Sequence, residues 1–223
     1  MFISFGELSA VSFHETKNVI AGEGGALLVN DPRYSERAEI VQEKGTNRRS
    51  FLRGTVEKYA WVDLGSSFLL SEINAAFLWA QIEQAEAITE ARLALWGLYH
   101  ERLAELEHEG LLRRPICPVE ARHNAHLYYV LLPGPAVRAR VLDRLAERDI
   151  YAVFHYVPLH SSPAGRRYGR ASGRLPVTES VSDRLVRLPL WVGMEPADVD
   201  RVVAALADGL RTVSEPLRSH ADA

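Results

Sequence analysis

The chain has 223 residues, 47% of them hydrophobic and 25% charged, with a formal net charge of -3. That suffices for one large domain or two small ones, and the near-neutral balance implies no preference for nucleic acid. One cysteine, Cys117, excludes an intrachain disulfide; no apolar run reaches the ~18 residues of a membrane span, and the opening residues lack a signal peptide's features, so a cytoplasmic globular chain is expected.

In chain order, Leu8, Ala10, Val11 and Phe13 predict a short, largely buried strand that runs out into polar residues at His14. Lys17 then falls in a loop at a strand end, where open α/β sheets place ligand sites. The basic residues are 23 arginines and only three lysines, Lys17, Lys44 and Lys58. A chain that uses arginine almost everywhere keeps lysine where arginine does not serve, and a primary amine condenses with a carbonyl to a Schiff base whereas a guanidinium does not. The plainer reading of Lys17 is a solvated surface cation. Ser12 offers a hydroxyl to an anion, and Gly22, Gly24 and Gly25 allow a tight turn before the next strand, Ala26 to Val29. A serine, an amine and a glycine turn suit a cofactor with both an aldehyde and a phosphate, which describes pyridoxal 5'-phosphate. A lyase or aldolase using Lys17 without cofactor would leave Ser12 and the turn without a reason.

Asp31 and Pro32 predict a helix start, with Asp31 as cap, and Gly45 its stop after about Lys44. From Thr46 to Leu70 no period is clean. Arg48, Arg49, Arg53 and Lys58 are interleaved with Phe51, Tyr59 and Trp61, which suits a nucleotide diphosphate and its base or, equally, a solvated basic loop. Ser71 caps a long helical stretch with Ile73, Ala76, Phe77, Ala80 and Gln84 on one face; Trp79 and Trp96 read as core or interface. Beyond Pro115 the order is a strand from His126 to Leu132, a helix from Val137 to about Asp149, a strand from Ile150 to Phe154, a helix from Ser180 to Arg187 and a last helix from Pro196 to Leu210. The tail after Val213 is polar and expected to fray. His155 and His160 flank Pro158, which argues against a helix that would bring both rings to one ion, so no metal site is expected.

The strings SFHETKN and GEGG resemble the cofactor-lysine motif of the DegT/StrS-type sugar-nucleotide aminotransferases. EKGTNR at 43–48, VDLGSS at 62–67, AAFLWAQ at 75–81, HNAHLYY at 123–129 and VFHYVPLHSSPAG at 153–165 match in the same order. Together they look closest to the transaminases that make dTDP-4-amino-4,6-dideoxygalactose. The resemblance implies an α/β fold, the C-terminal part of a pyridoxal-phosphate enzyme of fold type I, the aspartate aminotransferase-like class. It implies a remnant of the large cofactor-binding domain at 1–70, a long connecting helix at 71–110, a small α/β domain at 111–213 and a frayed tail at 214–223.

Carried over residue by residue, Lys17 is the catalytic and cofactor-holding lysine and Ser12 a cofactor contact. Ser67 stands where many relatives have an asparagine that reaches across a dimer to the cofactor phosphate. A hydroxyl still donates to phosphate, with shorter reach. The loop holding Arg48 and Arg53 is implied to lie at the subunit interface near the partner's site. His155 and His160 are implied at the active-site mouth, touching substrate or tying the domains. His14 contacts cofactor or sugar, or packs beside the loop. The implied partners are a dTDP-sugar, an amino donor (in this family usually glutamate) and a second copy of the chain. In that family the lysine lies near mid-chain, so its position at 17 implies that an upstream half-domain is missing from this sequence. Two functions follow: a sugar-nucleotide aminotransferase, or a non-catalytic remnant with exposed sheet edges.

Overall fold

In the computed structural model, which describes residues 5–218, the chain forms two compact units, Met1–Ala87 and Ile88–Ala223. In the first unit β1 (Leu8–Ser12) pairs antiparallel with β2 (Gly25–Val29), in a register running from Leu8 opposite Val29 to Ser12 opposite Gly25. The strand is where the sequence predicts it, but it is not buried: its residues alternate between exposed and half-buried. A two-stranded sheet has two open edges, and Leu8 and Leu27 on it are exposed.

The Asp31 carboxylate accepts from the Arg33 backbone N–H at 2.9 Å and Pro32 opens a 3-10 turn, from which α1 (Ser35–Gln42) continues. The helix stops short of Lys44 because Lys44 and Gly45 both take left-handed φ, 63° and 75°. Gly45 N–H donates to the Ile40 carbonyl at 2.8 Å, and the Gly45 carbonyl accepts from Val62 and Asp63 at 2.8 and 3.0 Å. A side chain at Gly45 would overlap the Asp63 carbonyl, so only glycine permits the loop to cross here.

Within the aperiodic stretch lies one short helix, α2 (Arg48–Leu52). The Ser71 hydroxyl caps α3 (Glu72–Glu83), accepting from Asn74 N–H at 3.2 Å. The single helix expected from Ser71 onward is three: α3, α4 (Ala85–Arg102) and α5 (Ala104–His108). The α3 stripe is bare, with Ile73 82% and Phe77 49% exposed, and Trp79, expected in the core or an interface, is 65% exposed in this chain. Among the described residues of this unit the only buried hydrophobic is Ala21.

The second unit has a core of its own. Its sheet runs β3 (Tyr128–Leu131), β5 (Leu185–Leu188), β4 (Val153–Phe154), with β5 central and antiparallel to both neighbours. The chain crosses from β3 to β4 through α6 (Pro135–Ala146), leaving a gap that β5 fills later. The helix predicted over Ser180–Arg187 is therefore wrong at its C-terminal end: α8 is Pro176–Arg184, and the next four residues are the middle strand. Four residues are too few for a period, and burial on both faces removes the alternation that identifies a strand.

Val137, Val141 and Leu145 of α6 pack with Val199, Val202, Leu206 and Leu210 of α9 (Pro196–Arg218) over Val130 and Val186. α9 runs beyond the predicted Leu210, so the expected frayed tail is helical to Arg218, and its last five residues, 219–223, lie outside the described ones. No helix among the described residues is long and apolar enough to cross a membrane.

Trp96 packs against this core, as its spacing predicts, stacking on His100 with ring centroids 4.8 Å apart and approaching His123 and Tyr128 at 4.4 and 5.2 Å. The buried Arg92 guanidinium donates to the carbonyls of Ala125 (2.9 Å) and His126 (2.6 Å), pinning the HNAHLYY segment, where Ala125 has φ 48°. Burial first, and then the Arg114 charge, holds the His100 imidazole below its ordinary range, against the pull of Glu107. Burial and then Arg187 act on His155 in the same direction. The unfolded chain takes up protons near the ordinary histidine value of about 6.5. Stability is therefore complete above that pH and is lost as pH falls through it toward the lower folded-state values. The denaturation midpoint of this unit is expected to fall between about pH 7 and pH 5.5, and His100→Gln to flatten the slope. Urea melts of both chains across that range check this.

Candidate active site

Twelve residues, 13–24, close the end of the β1–β2 ladder. Phe13 N–H donates to Gly24 (2.9 Å), Ala21 to Phe13 (2.7 Å) and Glu15 to Gly22 (2.7 Å), while Lys17 N–H donates to the His14 carbonyl (2.9 Å). Gly22 takes φ 78°, the conformation a glycine turn supplies. At Gly25 a Cβ would stand 2.8 Å from the Val11 carbonyl, which explains why the strand begins on glycine. Lys17 is exposed at the tip of this closed loop. The Ser12 hydroxyl accepts from His14 N–H at 3.3 Å.

His14 Nδ1 accepts from the Thr16 backbone N–H (3.2 Å), which places the ring proton on Nε2, 3.4 Å from a Glu23 carboxylate oxygen. Both ring nitrogens are thus engaged inside the loop. Glu23 in turn tethers the loop to α3, its carbonyl accepting from Asn74 Nδ2 at 3.4 Å. Sequence reasoning overlooked Glu23; its only trace is the acid between the two glycines of GEGG.

A second cluster is built on the C-terminal end of α1. Ser66 N–H donates to Val41 (3.0 Å), Phe68 N–H to Gln42 (3.1 Å), and Ser67 bridges Glu43, so the GSS segment lies along the helix end with Ser67 exposed. Gly65 crosses Gly45 so closely that a Cβ would overlap its backbone. Glu43 is buried and faces Arg48 Nη1 at 3.5 Å and Arg49 Nε at 3.8 Å. Arg53 is paired with Glu39. Of the cations that read as diphosphate ligands in the sequence, Arg48, Arg49 and Arg53 therefore already have carboxylate partners, and the structure groups Arg48 with Ser67 around Glu43.

His155 and His160 belong to the second unit. His160 sits in a 3-10 turn, Leu159–Ser161, with its side chain 15% exposed and Nε2 3.4 Å from a Glu179 oxygen on α8. Ser162 caps α7 (Pro163–Tyr168), accepting from Gly165 N–H at 3.0 Å and donating to the Leu159 carbonyl at 2.8 Å. A Cβ at Gly165 would overlap that carbonyl. Gly165→Ala is therefore expected to displace the His160 turn while the core beneath stays folded. The check is loss of the His160 ring resonance position in a nuclear magnetic resonance spectrum whose Val130 and Leu206 methyl signals are unmoved.

Residues 2–207 match the model of the DegT/DnrJ/EryC1/StrS aminotransferase family. A protein of Methanocaldococcus jannaschii, MJ1066, is 28% identical over 210 residues, which is 91% of this chain and 54% of that protein. A dTDP-4-dehydro-2,3,6-trideoxy-D-glucose 4-aminotransferase of Saccharopolyspora spinosa is 26% identical over 204 residues, covering 89% of this chain and 51% of the other. The crystal structure of S. venezuelae DesV superposes with a TM-score of 0.77 at 28% identity, over 93% of this chain and 53% of that one. The fold is thus part of an aminotransferase fold, and the chain belongs to the DegT/DnrJ/EryC1/StrS aminotransferase family. It spans about half the length of the curated relatives it matches.

The cofactor of this family is pyridoxal phosphate. The residues present fit part of it: an exposed primary amine on a closed loop, and a serine hydroxyl at the end of the strand leading into that loop.

Proposed function

We propose that this chain carries the lysine-bearing part of a transaminase that aminates a dTDP-4-keto-6-deoxyhexose at C4, in the cytoplasm, for nucleotide-sugar and surface-polysaccharide biosynthesis. The observation that carries the reading is Lys17, exposed at the tip of a loop that five backbone and side-chain contacts hold shut. The activity for which the Saccharopolyspora relative is named supports a dTDP-sugar substrate, and the motif likeness supports the galactose-configured product and glutamate as donor.

In this reading pyridoxal phosphate supplies an aldehyde and an electron sink. Lys17 Nζ would hold the aldehyde carbon of that group and, as a free amine, would move the proton that amino transfer requires. Ser12 and Ser67 donate hydroxyl hydrogen bonds to phosphate oxygens, Ser67 toward the cofactor of a second copy in a homodimer. Arg48 and Arg53 reach the nucleotide diphosphate on exchanging their carboxylate partners, and His14, His155 and His160 contact substrate.

A second reading, a chain that is inactive by itself, is favoured by the bare apolar surface of the first unit. Borohydride reduction of the purified chain with pyridoxal phosphate, followed by peptide mapping, separates the two. Saturable modification at Lys17 alone supports a formed half-site. Equal, weak modification of Lys17, Lys44 and Lys58 overturns it.

A further inference from the structure

The lysine loop has its centre of contacts at His14. The His14 N–H donates to the Ser12 hydroxyl oxygen at 3.3 Å, and its carbonyl accepts from Lys17 N–H at 2.9 Å. Its Nδ1 accepts from Thr16 N–H at 3.2 Å and lies 3.0 Å from the Thr16 hydroxyl. Its Nε2 lies 3.4 Å from a Glu23 carboxylate oxygen. Two successive backbone amides, those of Thr16 and Lys17, thus point back at one residue, the first at its ring and the second at its carbonyl. An asparagine or aspartate that opens a turn does the same with its side-chain oxygen. Here an imidazole stands in for that oxygen, and Ser12 and Lys17, the groups that fit the cofactor, are both tied to it.

An imidazole closes such a turn in only one of its neutral forms. With the proton on Nε2, Nδ1 has a lone pair for Thr16 N–H; with the proton on Nδ1, two N–H groups would face one another. Glu23 selects the first form, because a carboxylate beside Nε2 accepts a hydrogen from it and donates none. The Glu23 side chain is 83% exposed, so the pair contributes little as an attraction. What it supplies is direction. Glu23 is held in place by its backbone carbonyl, which accepts from Asn74 Nδ2, and by its neighbour Gly22, whose carbonyl accepts from Glu15 N–H at 2.7 Å. We propose that His14 and Glu23 are positioning residues for Lys17: Glu23 fixes the His14 ring in its Nε2–H form, the ring and carbonyl of His14 hold residues 14–17 in one turn, and that turn sets the Lys17 backbone relative to the Ser12 hydroxyl. The ring nitrogens are committed to the loop, so what His14 offers a substrate is its ring face. The turn stands on these contacts alone; its use in presenting the amine to an aldehyde rests on the transamination reading.

The test compares His14→Asn with His14→Phe in the full chain. The asparagine amide oxygen is able to accept from Thr16 N–H as Nδ1 does, whereas the phenyl ring keeps the bulk and accepts nothing. Labelling with pyridoxal phosphate and borohydride reports the initial rate at Lys17 relative to Lys44 and Lys58 of the same chain. That ratio is expected to fall at least ~10-fold in His14→Phe and in Glu23→Ala, and to stay within about 2-fold of the unmodified chain in His14→Asn. The reverse order assigns His14 to packing and overturns the proposal, as does an equal effect of both substitutions. A second readout needs no cofactor: the ring nitrogens of His14 in the 15N-labelled chain at about pH 8, where an ordinary imidazole is neutral. The proton is expected on Nε2 in the unmodified chain and shared between both nitrogens in Glu23→Ala. A proton on Nδ1, or a Glu23→Ala spectrum like that of the unmodified chain, overturns the proposal. If a variant fails to fold, the ring proton of the unmodified chain decides the matter. The same spectrum is read whether or not Lys17 is labelled faster than the other lysines, so failure of the Lys17 trapping experiment and failure here are separable.

Discussion

Lys17→Ala is expected to lower keto-sugar amination by at least ~10⁴-fold in any preparation that turns the substrate over, because one side chain both holds the aldehyde and moves the proton. Lys17→Arg is expected to fall as far. It keeps the charge and removes the condensing amine, so equal loss in both variants assigns the effect to nucleophilicity rather than to a cation. The side chain is exposed and the loop is held by backbone hydrogen bonds, so neither substitution should move the melting transition by more than about 0.5 kcal/mol. Single-turnover kinetics with glutamate and with the keto sugar, read alongside thermal melts, check both parts. Turnover retained by either variant would remove Lys17 from the mechanism.

The two units are expected to differ in stability by most of the range a folded domain spans. In the second unit Tyr99, Tyr128, Val130, Val186 and Leu206 are fully buried and share one core. Its β3 and β5 amides should exchange with solvent only through global opening. The first unit, with Ala21 as its only described buried hydrophobic and a two-stranded sheet, has almost nothing to resist local opening. Amide exchange on the chain by itself should therefore show β1, β2 and α3 exchanging rapidly while β3, β5 and α9 stay protected. Leu206→Ala should remove about 2–5 kcal/mol from the protected set and leave the fast set where it was. The apolar surface on α3 should bind a hydrophobic dye in the unmodified chain. Uniform protection across both units would refute this picture.

Much of the fold is legible because its signals are local. Ser71 reads as a cap and is one; Asp31 and Pro32 open a helical turn where they should. The stripes of α6 and α9 survive reading because each helix buries a single face over several turns. The β5 strand is illegible for the opposite reason: it is four residues long, follows a helix without a break, and is buried on both sides. The lysine loop was visible as a loop, but not the contacts that close it. Glu23 lies nine residues from His14 in sequence and 3.4 Å away in space.

What the sequence determined by itself is the chemistry available: one amine in a loop between two strands, a glycine turn, and motifs that share their order with a family of aminotransferases. The tertiary structure decided which charges are already spent. Arg48 and Arg53 look free in the sequence and are paired with Glu43 and Glu39, while Arg187, at the end of the helix expected over Ser180–Arg187, stands on the central strand with its guanidinium over the Tyr156 ring. The reason is physical. Backbone propensity and capping act over a few residues and leave a mark in the sequence, whereas a charge is satisfied by whatever the fold brings within about 4 Å, and that distance has no fixed relation to separation along the chain.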